Sequence, residues 1–79
     1  MLPTGTVVIS GAGRDRGRLQ AVVSSDENCV RLCDGKERPL SNPKRKNPKH
    51  ITVTEFSVGE TELKSDRALR KALAQLKER

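Results

Sequence analysis

Seventy-nine residues allow one small domain; a chain this short buries only roughly 60% of the surface it exposes when unfolded, which leaves little stability for a deep catalytic cleft. The hydrophobic and charged fractions are both 33%, and the apolar residues are clustered, which excludes disorder throughout and implies a core. The net charge of +6 is uneven, with ten basic and five acidic side chains in residues 1–50 against six and five in 51–79, so it points to a polyanionic partner rather than to solubility alone.

In chain order, Thr6-Val7-Val8-Ile9-Ser10 is short and rich in β-branched residues, and predicts a first strand. Gly11-Ala12-Gly13-Arg14-Asp15-Arg16-Gly17 has three glycines and only Ala12 as an apolar residue, so it reads as a loop. Leu19, Ala21 and Val23 alternate with their neighbours, predicting a second strand with one face toward a core. Residues 25–28 form a polar turn, and Cys29-Val30-Arg31-Leu32-Cys33 makes a third strand with Val30 and Leu32 on one face. Asp34-Gly35 suits a type I′ hairpin turn. A fourth strand is then expected over residues 36–40, confined to an edge by Pro39.

Residues 41–49 hold two prolines, two asparagines and four basic side chains, the composition of an exposed basic loop. His50-Ile51-Thr52-Val53-Thr54-Glu55-Phe56 alternates and predicts a fifth strand, with Val58 near its end. After Gly59, Ser65 suits an N-cap with Asp66 in the first turn. Leu69, Ala72, Leu73 and Leu76 then fall at helical spacing and predict an amphipathic helix. A helix this short is marginal alone, so it is expected to pack on the barrel, or on a partner if the barrel has no groove for it. Five short strands in under sixty residues suggest a small barrel, which removes most exposed edges. The fold expected is mainly β: a barrel over residues 1–58, a linker over 59–64 and a C-terminal helix over 65–79, all in one compact domain.

Several residues carry a resemblance. Gly5-Thr6-Val7-Val8-Ile9, the glycine loop through Arg18, and Ala21-Val22-Val23 resemble a KOW motif, with Gly17 at the position of its central glycine. Val30-Arg31-Leu32-Cys33-Asp34-Gly35, Arg38-Pro39-Leu40, the run from Pro43 to His50, and Ser65-Asp66-Arg67-Ala68-Leu69-Arg70-Lys71-Ala72-Leu73 are similar to a narrower group. These are short bacterial KOW-domain proteins related to archaeal and eukaryotic large-subunit ribosomal proteins. Residues 54–64, Cys29 and Cys33 do not follow the pattern. The resemblance implies an SH3-like barrel, RNA binding and a tie to the ribosome or translation.

Two candidate contact sites follow. Gly13, Arg14, Arg16, Gly17 and Arg18 combine glycines that let a backbone approach phosphate with guanidinium forks that bind it through paired hydrogen bonds. The loop matches neither the P-loop nor the dinucleotide fingerprint, because Gly17 precedes Arg18 and Arg16 stands three residues after Gly13. Arg38, Lys44, Arg45, Lys46 and Lys49 form the second site, stiffened by prolines that limit the entropy lost on binding. His50, which closes it, either meets RNA by stacking or phosphate donation or has a structural role. For both runs the alternative is a solvated loop.

The composition also excludes functions. Phe56 is the lone aromatic residue, so base-stacking platforms, proline-rich ligands and methyl-lysine cages are not expected. On one strand Cys29 and Cys33 would sit roughly 13 Å apart, too far for a disulfide. With His50 they fall short of the four ligands of structural zinc. No pair of carboxylates and no Cys–His arrangement suggests catalysis. The chain is therefore expected to be no enzyme and to need no cofactor or metal. It is expected to be cytoplasmic, without a secretory leader or membrane role, and monomeric when free. Structured RNA, ribosomal RNA in particular, is the expected partner. The competing expectation is a protein-interaction module, docking on ribosomal, transcription or translation proteins through the barrel edge or the helix.

Overall fold

A computed structural model describes residues 2–11, 13 and 16–77. Five strands form one antiparallel sheet: β1 (Thr6–Ser10), β2 (Leu19–Ser25), β3 (Val30–Cys33), β4 (Lys44–Lys46) and β5 (Ile51–Ser57). The strand order is β4-β3-β2-β1-β5, and a helix, α1 (Asp66–Lys77), follows. Short 3-10 turns at Pro48–His50 and Glu62–Lys64 complete the described elements. The second of these turns lies inside the expected linker.

β1 and β2 pair in simple register, Val7 with Ala21 and Val8 with Gln20. Alternation then sorts the apolar residues onto two faces. Val7, Ala21 and Cys33 pack with Val58, Leu69 and Leu73, so α1 covers one face. The predicted stripe therefore packs on the chain's own sheet: Leu69 is fully buried, and Ala72 and Leu76 lie at the margin of the same cluster. Ser65 caps the helix by accepting the Ala68 N–H at 3.2 Å. Phe56, half-buried, also packs against this cluster.

Val8, Val22, Val30 and Leu32 form the second cluster, edged by Leu2 and Ile51. Among the described residues no side chain of α1 joins this cluster, yet these four side chains are at most 1% exposed. The sheet covers the face by curling. The Lys46 ammonium on β4 donates to Ser10 Oγ on β1, three strands away in the order. In a flat sheet those strands would lie roughly 14 Å apart, beyond a lysine's reach. Register shifts between Val22 and Ser24, and between Thr6 and Val8, mark where the strands bend. Only residues 47–50 separate the edge strands β4 and β5 in sequence, but no described ladder joins them.

Three expectations need correction. Residues 36–40 are not a strand; they belong to an irregular turn. Asp34-Gly35 is not a type I′ turn, because no described non-glycine residue has positive φ. Instead Asp34 Oδ1 accepts the N–H groups of Lys36 (2.8 Å) and Arg38 (3.0 Å), which holds this chain segment away from a ladder. Gly35, at φ +81°, presses against the start of α1, where a Cβ would collide with the Asp66 carbonyl. Asp66 Oδ1 in turn accepts the Leu40 N–H at 2.7 Å. Third, the expected loop over residues 41–49 supplies the fourth strand, β4, and the start of a 3-10 turn.

Candidate nucleic-acid interface

The first basic segment is a pinched loop between β1 and β2. Gly17 N donates to Ser10 O at 2.7 Å and Ser10 N to Arg18 O at 3.0 Å, closing its base. Gly13 and Gly17 take φ of +75° and +83° with open space beyond, so their backbone conformation, not crowding, calls for glycine. Gly13, Arg16, Gly17 and Arg18 are exposed. Arg14 lies outside the described residues.

The second segment is more rigid than a loop. β4 pairs with β3, Arg45 opposite Arg31 and Lys44 opposite Leu32. Asn47 Oδ1 accepts the Lys49 N–H at 2.9 Å and caps the turn that carries Lys49 and His50, with Pro48 at its start. Lys44, Arg45, Lys49 and His50 are exposed. Lys46 is half-buried, with its ammonium on Ser10. Arg38 is also half-buried, and its carbonyl accepts the N–H groups of Asp34 and Gly35. The Arg45 guanidinium is pushed above its ordinary pKa, first by hydrogen bonding to the Cys29 side chain, then by the Coulombic effect of Cys29 and, more weakly, Asp26.

Backbone contact joins the two segments. Gly11 N, at the start of the first loop, donates to the carbonyl of His50 at 2.7 Å. The loop of Arg16 and Arg18 therefore springs from the place where the Lys49–His50 turn ends. On its other side the same loop borders a cleft of about 500 Å³ against α1, lined also by Lys36, Arg70 and Lys77.

Sequence reasoning missed these last three cations, and it missed Arg31. Arg70, Leu73, Ala74 and Lys77 are spaced i, i+3, i+4 and i+7, so a mixed basic and apolar face beside the leucine stripe was readable in principle. Lys36 and Arg31 gain their neighbours only through tertiary pairing. Arg31 opposite Arg45 sets like charges face to face, an arrangement that weakens a sheet and suits an anionic partner.

The remaining candidates for chemistry are quiet. Cys29 and Cys33 are free thiols. Burial, followed by the charges of Asp34 and Asp66, pushes the Cys33 thiol up to about 11, so it stays protonated and unreactive at neutral pH. Among the described residues no group of three or more His, Cys, Asp or Glu gathers to hold a metal. No described helix is long and apolar enough to cross a membrane. No protein-family model matches the chain, and no curated protein matches it.

Proposed function

We propose that this chain is a KOW-type domain, its curled sheet an SH3-like barrel, and that it binds structured RNA by contacting phosphates. Ribosomal RNA is the expected target, and a ribosome- or translation-associated accessory role the expected setting. One observation carries the reading: the Gly11–His50 hydrogen bond brings the two basic segments together, so Arg16, Arg18, Lys49 and His50 belong to one neighbourhood. Separated basic residues would only solubilise a small domain, whereas adjacent ones create a potential that attracts a backbone. The scarcity of aromatic residues supports phosphate and shape recognition over base stacking.

A fluorescence-anisotropy titration with a folded ribosomal RNA fragment and a length-matched DNA duplex tests this reading. With about four phosphate contacts, affinity should fall roughly a hundredfold between about 50 and 200 mM salt. The variant Lys44→Ala/Arg45→Ala/Lys49→Ala should bind more weakly and with a shallower salt slope. Absence of RNA binding even at low salt would overturn the proposal.

A second reading, a protein-docking module, keeps one supporting feature. Val53 on the edge strand β5 is 51% exposed, a large apolar side chain on an open sheet edge. The helix supports it less, because Leu69 and Leu73 are already buried against the sheet.

A further inference from the structure

The cleft between the first loop and α1 differs in kind from the rest of the basic surface. Its walls carry five cations, Arg16, Arg18, Lys36, Arg70 and Lys77, against a single carboxylate, Asp34. That carboxylate is 8% exposed, and one of its oxygens already accepts two backbone N–H groups. The floor is apolar and built from Leu19, Leu73 and Ala74. Its position is fixed from both sides: Gly35 abuts the first turn of α1, placing Lys36 near Arg70, and the Ser10–Gly17 hydrogen bond holds the loop opposite. The negative end of the helix dipole lies near Lys77, whose charge offsets it.

A plain phosphate site needs no apolar floor, and an apolar groove needs no ring of guanidinium groups. A ligand that uses both has a flat, weakly polar body and a phosphate beside it. About 500 Å³ falls within the usual range for small-ligand sites. Guanidinium planes can stack on bases where aromatic rings are missing.

We propose that this cleft receives one nucleoside-phosphate unit, its base over Leu19, Leu73 and Ala74 and its phosphate on the Arg16, Arg18 and Arg70 rim. The unit is either a free nucleotide or an unpaired nucleotide projecting from RNA. The RNA-borne form rests on the reading above, and it makes α1 part of the recognition surface rather than only a cover for the sheet.

The test has two arms. In the first, the nitrogen-15-labelled chain is titrated with ADP at low salt, following the amides of Arg18, Leu19, Leu73 and Ala74. In the second, affinity is measured for an RNA hairpin with a single-nucleotide bulge and for its fully paired counterpart. ADP should shift those four amides, and the bulged hairpin should bind about tenfold more tightly than the paired one. Both effects should vanish in Arg70→Glu/Lys77→Glu, two exposed positions, with the thermal midpoint checking that the variant folds. Arg70→Gln/Lys77→Gln replaces it if it does not. Lys44→Ala/Arg45→Ala/Lys49→Ala should weaken both hairpins alike. Local ADP shifts without hairpin binding would support the cleft as a free-nucleotide site and overturn the RNA reading. Hairpin binding with no bulge preference and no local ADP shifts would overturn the cleft and leave the RNA reading standing. ADP shifts scattered over the basic surface, or retained in the charge-reversed variant, would also overturn it.

Discussion

The two faces of the sheet solve the same burial problem by different means. The face under α1 is closed by a separate element, and its central cluster is apolar throughout: Val7, Ala21, Cys33, Val58, Leu69 and Leu73. The other face is closed by curvature, with Leu2 and Ile51 at its edge. There Val8, Val22, Val30 and Leu32 share register levels with polar side chains, since Gln20 lies opposite Val8, and Ser10 and Lys46 meet across the curl. Gln20 is fully buried, and neither end of its amide hydrogen-bonds to another protein group. A helix can slide to fit an apolar surface. A short strand that must also pair with its neighbours cannot, so the curled face tolerates a polar misfit that the covered face excludes.

The largest effects should come from cutting each core. Leu69→Ala and Leu32→Ala should each cost about 3 kcal/mol, since both side chains are fully buried. In a domain this small that amounts to a thermal midpoint lower by roughly 15 °C. Circular dichroism should separate the two variants: Leu69→Ala should lose helical signal ahead of the main transition, and Leu32→Ala should unfold in one step. Identical single transitions would show that the two faces do not differ in this way.

The next effect is a pH dependence confined to the covered face. The folded Cys33 thiol titrates at about 11 against an ordinary 9.0, so the unfolded chain loses this proton first. Its contribution is fully present below about pH 9 and should be lost as pH rises toward 11, on the order of 2 kcal/mol. Chemical denaturation of the native chain and of Cys33→Ala across that window isolates the thiol from the lysines. Parallel curves for the two proteins would refute it.

On the curled face the sign reverses. Gln20→Leu removes a buried amide without a protein partner and should raise stability by about 1 kcal/mol, measured as a higher urea midpoint. A lower midpoint would mean that the amide is satisfied in solution. The smallest effect separates fold from binding. Lys46→Ala should change RNA affinity less than twofold, because the ammonium is turned onto Ser10, whereas Lys49→Ala should lower it more.

How much of this was legible depended on whether an element announces itself through its side chains. β1, β2 and β5 carry alternation or β-branched runs, and α1 carries a leucine stripe, so each is found within a residue or two. Val7 and Val8, adjacent and both fully buried, form the kind of unbroken apolar run that marks a strand covered on both faces. β4 was missed because Lys44, Arg45 and Lys46 hold no apolar residue and stand between Pro43 and Pro48. Those are features that guard a sheet edge as well as features of a loop. The strand expected at residues 36–40 failed for a tertiary reason, since Asp34 takes up the local N–H groups and Gly35 yields to the helix. The candidate site was half legible on the same principle. The basic runs stand in the sequence, whereas the Gly11–His50 contact and the α1 wall of the cleft depend on the chain folding back.

β4 has one more consequence. Lys44 and Arg45 are exposed, and their strand is held chiefly through ladder pairing with β3, with the Arg45 guanidinium also hydrogen-bonded to the Cys29 side chain. Folding therefore places little demand on which side chains occupy these two positions. Mutation can trade basic for neutral or acidic groups there while the scaffold persists, so the proposed affinity for a polyanion could drift, sharpen or be abandoned over evolutionary time without passing through unfolded intermediates.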